Sequence, residues 1–349
     1  MSETVAVVGG GVIGLSIAAR ASREGWSVRL YDPSIGSGAS WVAGGMLAPL
    51  SEGWPGEHEL LALGADSLAR WPAFARGLGV EVFAAAGSLT VALDAADAAD
   101  LRTIAEFVGQ QGHDLEILGR AQIRELEPSL AQNIRLGLLA PTEFAVDNRA
   151  LVSALQEAAG DVEFVAESVT DLDSLEADQI VVAAGAQTAS LLHDMPVRAV
   201  KGEILRLRRR PSATEAPTRT VRGSVHGRPI YLVPRGDGLV VGATQYESGQ
   251  DTQVTVAGVR DLIADAERLM PSIGEYELYE CSAGLRPMSP DGLPLIGRIS
   301  ERVIVASGHG RNGILLTPIT ADAVSALLAG DTLPEAKAAD PARFKIGEQ

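Results

Sequence analysis

Glycine stands at the first, third and sixth positions of Gly9-Gly10-Gly11-Val12-Ile13-Gly14, and an acid, Asp32, closes the next apolar stretch. That combination suits one kind of chemistry, holding the diphosphate of a dinucleotide. Gly9 lets the chain turn sharply, Gly11 lets backbone approach a pyrophosphate, and Gly14 lets a helix pack close to a sheet. The N–H groups and positive dipole end of that helix then face the phosphates. Asp32 can accept hydrogen bonds from both hydroxyls of an adenosine ribose and disfavours a 2′-phosphate, which ranks NADP last. NAD and FAD both satisfy the pattern. The alternative is a glycine-rich turn without a ligand, and the surrounding strand, helix and acid argue against it.

The flanking residues supply the elements this motif needs. Residues 4–8 read as a buried strand, 15–21 as helix and 27–31 as a second strand. Small residues dominate 33–49, interleaved with Val42, Met46 and Leu47, so a ligand-lining loop is expected there. Apolar residues recur at helical spacing over 58–77. From residue 80 short strands prevail: 82–83 pairing with 88–93, and 136–139 with 144–146, with helices over 95–109 and before Pro128. A helix over 151–159 and strands over 162–169 and 179–183, the last running to Gly185, return the chain to a parallel sheet. Strands over 199–207, 230–234 and 238–242 follow, then a helix over 256–270 and a strand over 276–281. Arg206, Arg208, Arg209 and Arg210 read as a solvated strand edge. A strand over 303–308 runs into His309-Gly310-Arg311-Asn312-Gly313 and a helix over 314–328, and the last dozen residues read as a loose tail. This second strand–glycine–helix junction makes the dinucleotide domain discontinuous.

Length and composition narrow the classes. A chain of 349 residues suits two domains or one with a large insertion. A formal net charge of −16 argues against nucleic acid and against an anionic membrane surface. The single cysteine, Cys281, points to a reducing compartment, and the absence of a leader or a long apolar run points to a soluble cytoplasmic protein. His58, His113, His193, His226 and His309 lack ligand spacing, so no metal is expected.

Six stretches together carry a resemblance: the N-terminal fingerprint, Ala43-Gly44-Gly45-Met46, Tyr231-Leu232-Val233-Pro234-Arg235, Gly242-Ala243-Thr244, Ala283-Gly284-Leu285-Arg286-Pro287 and Gly308-His309-Gly310-Arg311-Asn312-Gly313. Nearly the whole chain resembles, in order, the FAD-dependent D-amino-acid oxidase family, and within it the glycine oxidases of thiamine biosynthesis. The resemblance implies an α/β plus α+β fold, with a Rossmann-like FAD-binding domain (1–80, 141–197, 284–349) interleaved with an antiparallel-sheet substrate domain (81–140, 198–283). It implies FAD contacts from Gly9, Gly11, Val12, Ile13, Gly14, Asp32, Pro33, Ala39, Ser40, Gly44, Gly45 and Met46, with Val169 and Gly185 near the strand ends. His309, Gly310, Arg311, Asn312, Gly313, Ile314 and Leu315 would run along the isoalloxazine ring. Arg286 and Arg311 would hold a substrate carboxylate, with the Tyr231 hydroxyl as a further donor. The alternative partner for Arg286 is Asp291, and for Arg311 it is solvent.

The implied reaction is oxidative deamination of glycine by hydride transfer to flavin N5, giving imine and glyoxylate, ammonia and hydrogen peroxide, with O₂ as acceptor. Planar guanidinium groups suit it, because the step needs orientation more than an acid–base pair. Three departures from the family pattern stand out. Asp32 replaces a glutamate, Gly310 replaces a bulky aromatic, and Gly284 stands where sarcosine oxidases carry the flavin-linking cysteine. Cys281, three residues away, would face the other side of a strand, so FAD is expected to be non-covalent. Competing readings are a sarcosine or D-amino-acid oxidase or dehydrogenase and a flavoprotein subunit that does not turn over alone. An NAD-dependent dehydrogenase ranks last. A homo-oligomer, as a tetramer, is the family expectation.

Overall fold

The structure, a computed structural model, describes residues 3–344. Its first element confirms the opening motif. Strand Thr4–Val8 is apolar throughout and lies inside a six-stranded sheet, ordered Leu295–Arg298, Val303–Ser307, Gln179–Val182, Thr4–Val8, Ser27–Tyr31 and Glu163–Val165. All pairs are parallel except that joining Leu295–Arg298 to Val303–Ser307. A parallel sheet must be covered on both faces, which is why its central strands, Thr4–Val8, Gln179–Val182 and Val303–Ser307, are near-continuous apolar runs. Helix Val12–Arg23 is apolar on nearly every side and accordingly almost wholly buried, packed with Asn148–Ala158, His58–Leu78 and Thr317–Leu328 in one core.

A second, nine-stranded sheet runs Glu277–Met288, Arg198–Arg208, Gly238–Gly242, Arg228–Arg235, Thr220–Val225, Phe83–Ala92, Leu136–Val146 and Met46–Leu47, with Glu116–Gly119 also paired to Leu136–Val146. It is antiparallel except where Thr220–Val225 meets Phe83–Ala92 in parallel. Helix Val256–Leu269, capped by the Thr255 hydroxyl, covers part of it. Behind Gly202 a buried ion group forms: Lys201 Nζ donates to Asp251 Oδ2 at 2.6 Å and lies 3.5 Å from Glu203. Glu203 in turn accepts from the Thr255 N–H, so the cluster ties residues 251–255 to the sheet. No helix among the described residues is long and apolar enough to cross a membrane.

Several expectations need correction. The pairs 82–83/88–93 and 136–139/144–146 are single irregular strands, Phe83–Ala92 and Leu136–Val146, because they pair with each other. Strand 162–169 shortens to Glu163–Val165, and the last strand of the larger sheet extends through Arg286 to Met288. Arg206 is not on a solvated edge. Strand Arg198–Arg208 is paired on both sides, and Arg206 is 3% exposed, donating to Asn148 Oδ1. The last helix begins at Thr317, after a 3₁₀ turn at Gly310–Asn312. Of the expected tail, residues up to 344 form 3₁₀ turns with Ala339 and Pro341 buried, and 345–349 lie outside the described residues. The expected domain boundaries at 141 and 284 fall inside strands of the larger sheet.

Candidate active site

The three fingerprint glycines meet different surroundings. Gly9 has φ +111°, and a Cβ there would collide with the Ala183 carbonyl at the end of the neighbouring strand. A Cβ on Gly14 would collide with the Gly9 carbonyl, so this glycine seats the helix against the turn. On Gly11 it would approach only Ser40 Oγ, at 3.0 Å. Two glycines are therefore demanded by the protein itself, while the third leaves an open approach at a helix start whose N-cap residue, Gly11, offers no side chain of its own. Those features fit a pyrophosphate, and Gly11, Val12 and their neighbours would hold it. Ser40 shapes the same corner by accepting the Val12 N–H at 3.1 Å. Asp32 accepts from Gly10 N–H at 2.6 Å through one oxygen and from Ser34 N–H at 2.7 Å through the other, so it also braces the turn. Val169 packs with Val8, Tyr31 and Val182 beside this strand end, although it lies beyond the strand.

Asn148, absent from the sequence reading, fixes the next segment. Fully buried, it donates to the carbonyls of Ser40 and Trp41 at 2.8 Å each and accepts from Arg206. Arg235 does the same for the following glycines, donating to the carbonyls of Gly44 and Val146 at 2.7 and 2.5 Å. Burial lowers its pKa to about 10. The backbone at Ser40, Trp41 and Gly44 is thus held by two buried side chains.

Across from this loop lies one face of the larger sheet. Pairing aligns Arg222, Tyr231, Gly242, Ile204 and Ser282 in one row, and the two-residue period adds Gly202, Gly284 and Arg286 to the same face. Glycine keeps this face open. A Cβ on Gly242 would strike the Tyr231 hydroxyl and one on Gly202 the Arg286 guanidinium, while one on Gly284 would sit 3.2 Å from Ala39. Arg286 Nη1 donates to the Thr244 carbonyl at 3.2 Å, leaving its other donors uncommitted to a carboxylate. Asp291, its alternative partner, binds Arg343 instead, at 2.7 Å. Burial raises the Tyr231 phenol pKa despite nearby Arg286, so it stays a hydroxyl and can donate.

Arg311 is half exposed and bound through Nε to Glu52 at 2.5 Å. Glu52 also takes Arg222 Nη2 at 2.7 Å, and Arg222 Nη1 reaches Ser51 Oγ. Sequence inspection found neither Glu52 nor Arg222. Burial would raise the Glu52 pKa, but Arg222, Arg311 and Arg286 together hold it below the ordinary carboxylate range. Glu52, Arg311, Asn312 and Leu315 line one small cleft. The segment behind it is anchored at Leu315, whose carbonyl accepts from Ser67 Oγ and Trp71 Nε1 at 2.7 and 2.8 Å. His309 is buried, its Nε2 3.0 Å from Thr320 Oγ1, and burial lowers its pKa to about 3. It is a neutral packing group. Gly310 has φ +57°, and a Cβ there would come within 3.0 Å of Met288 Sδ. Cys281 is exposed and, three residues from Gly284 on one strand, faces the opposite side.

The model of the FAD dependent oxidoreductase family, DAO, matches residues 4–327. A bifunctional ThiO/ThiG protein from Synechocystis is 33% identical over 98% of this chain, but over only 54% of its own length, so the chain spans about half of such bifunctional relatives. Glycine oxidase from Geobacillus kaustophilus is 31% identical over 90% of both chains. A crystal structure of glycine oxidase from that organism superposes with a TM-score of 0.91, covering 98% of this chain and 99% of the other at 30% identity.

Proposed function

The chain belongs to the FAD-dependent oxidoreductase family DAO, and from that premise we propose that it is a glycine oxidase working in thiazole formation for thiamine. The observation that carries this reading is that the charges of Arg286 and Arg311 both act on Glu52, while Tyr231 lies within reach of Arg286 and Glu52, on the sheet face opposite the loop held beneath the fingerprint turn. When bound, FAD supplies the two-electron acceptor for the hydrogen leaving Cα as hydride. The protein's own part is orientation. Guanidinium donors of Arg286 and Arg311 hold the carboxylate in a plane, Tyr231 donates to it, and the amine and Cα are presented to the opposite side of the pocket. Glu52 is held ionised by its arginines and His309 is held neutral by burial, so neither is placed to shuttle a proton near pH 7. Hydride departure requires the free amine, and the resulting imine hydrolyses to glyoxylate and ammonia, with hydrogen peroxide from O₂.

Non-covalent attachment follows from Gly284 and from the outward face of Cys281. A cytoplasmic homotetramer is the accompanying expectation, the compartment resting on the single cysteine and the tetramer on the family resemblance. A panel of glycine, sarcosine and small D-amino acids, read by peroxide release, tests the proposal. Glycine should lead. Release with sarcosine or D-alanine alone would move the enzyme to a neighbouring activity, and no release with any amine would leave a non-autonomous flavoprotein subunit.

A further inference from the structure

Glu52 sits among the arginines on which the carboxylate reading depends, yet no step of that reading uses it. Its two oxygens are divided between Arg222 Nη2 at 2.7 Å and Arg311 Nε at 2.5 Å, and its side chain is 10% exposed. Arg222 is further occupied by Ser51 Oγ at 3.2 Å. Arg222 and Arg311 thus bind one buried carboxylate, and the charge of Arg286 acts on it without a direct bond. The uncommitted donors are on Arg286, whose one contact is the Thr244 carbonyl, and at the outer end of Arg311.

We propose that Glu52 determines substrate class by confining the pocket to amines with a single carboxylate, because it occupies the Arg222–Arg311 cation pair that a second acid group would otherwise take. This rests on the reading in which Arg286 and Arg311 receive the substrate carboxylate. The electrostatics are direct. With Glu52 in place, a dicarboxylate would set its second charge against an anion that burial brings close and its arginines keep ionised. Glu57, whose charge also acts on Arg311 at the cleft, adds to the same bias. Without the Glu52 charge, Arg222 and the Arg311 Nε become free donors arranged for an incoming carboxylate. Like-charge juxtaposition of this kind costs several kcal/mol in a desolvated site.

The test uses two unreactive probes, acetate and malonate, titrated calorimetrically into the FAD-loaded protein, with FAD content and Tm recorded for every variant. Wild type should bind acetate at least as tightly as malonate, although a cluster of three arginines would by itself favour the dianion. Glu52→Gln should tighten malonate relative to acetate by about tenfold or more, which is about 1.4 kcal/mol. Glu52→Asp, which keeps the charge, should retain the wild-type preference, and Glu52→Gln combined with Arg222→Gln should lose the gain. A role confined to folding would shift Tm without changing the malonate-to-acetate ratio. Should Glu52→Gln not fold, wild type decides: a clear preference for malonate overturns the proposal. An unchanged ratio in folded Glu52→Gln, in an enzyme that still oxidises glycine, retires this role of Glu52 and leaves the oxidase reading standing. Failure of wild type to bind either acid or to oxidise glycine overturns both.

Discussion

Around the fingerprint turn backbone packs on backbone, whereas on the face of the larger sheet side chains meet across strands far apart in the chain. At Gly9 and Gly14 the excluded volume belongs to the carbonyls of Ala183 and Gly9, which nothing can move without moving the sheet. At Gly202 and Gly242 it belongs to the Arg286 guanidinium and the Tyr231 hydroxyl, which are ends of side chains. The first region is built to a fixed shape that any dinucleotide enzyme could share. The second is adjustable, and its chemistry is set by which side chains the pairing register brings together. Cofactor binding and substrate choice should therefore respond to mutation separately.

The largest contrast lies within the glycine turn. Gly14→Val drives a branched side chain into the Gly9 carbonyl and should prevent folding, a loss beyond about 4 kcal/mol that places the variant in the insoluble fraction. Gly11→Val faces only Ser40 Oγ. It should fold, with the apoprotein Tm near that of wild-type apoprotein, yet purify without yellow colour. Normal flavin in Gly11→Val would show that the open side of the turn is not where the phosphates lie.

On the sheet face, Arg286→Ala should lower kcat/KM for glycine by roughly 30- to several-thousand-fold, since losing a charged contact costs about 2–5 kcal/mol. Flavin content should stay at the wild-type level. Arg286→Lys should recover only part of the loss, because an ammonium cannot reproduce the planar fork. Lost flavin with unchanged turnover per flavin would assign Arg286 to the cofactor side and erase the separation.

His309 lies at the seam, bridged to Met288 of the larger sheet and packed on Thr320 of the last helix. Its pKa in the fold, about 3, lies below the ordinary 6.5, so the unfolded chain takes up the proton first. Stability present above pH 6.5 should drain away as pH falls toward 3, at up to about 1.4 kcal/mol per pH unit from this group. In scans of Tm against pH, His309→Asn should show a shallower acid slope than wild type. Parallel slopes would mean that the ring is not buried neutral.

The smallest effect is expected at Asp291. Its pairing with Arg343 is partly exposed, so Asp291→Ala should cost under about 1 kcal/mol and leave glycine kinetics untouched. A change in KM for glycine would instead tie Asp291 to Arg286.

Local signals were legible in the sequence, and signals that depend on register were not. The fingerprint, Asp32 and the long helix over 58–77 are each dictated by neighbours in the chain, and the structure places them much as read. Arg286 and Tyr231 were reachable only through a family motif, since nothing in their immediate surroundings distinguishes them from structural residues. Glu52 and Arg222 were missed because their significance arises from tertiary pairing: Arg222 stands opposite Tyr231 in an antiparallel ladder, and Glu52 reaches it from a loop near the first strands. Arg206 was misread for the same reason, since its basic neighbours hide a strand paired on both sides. Residues 136–139 and 144–146 read as a strand pair of their own, yet one continuous strand runs through both and pairs with Phe83–Ala92.

The interleaving of the two sheets bears on how the protein is made on the ribosome. The glycine turn is synthesised long before its sheet is complete: strand Thr4–Val8 takes its second parallel neighbour from Gln179–Val182, and that neighbour waits in turn for Val303–Ser307. Strands of the larger sheet leave the exit tunnel in between, including Glu277–Met288 with Arg286. The larger sheet lacks a strand until Met288 has been made, and the smaller until Ser307. Such distant pairings are slow to form, and they leave apolar strands unpaired while synthesis continues. The nascent chain must therefore carry an unfinished nucleotide site until the last parallel strand, Val303–Ser307, has emerged.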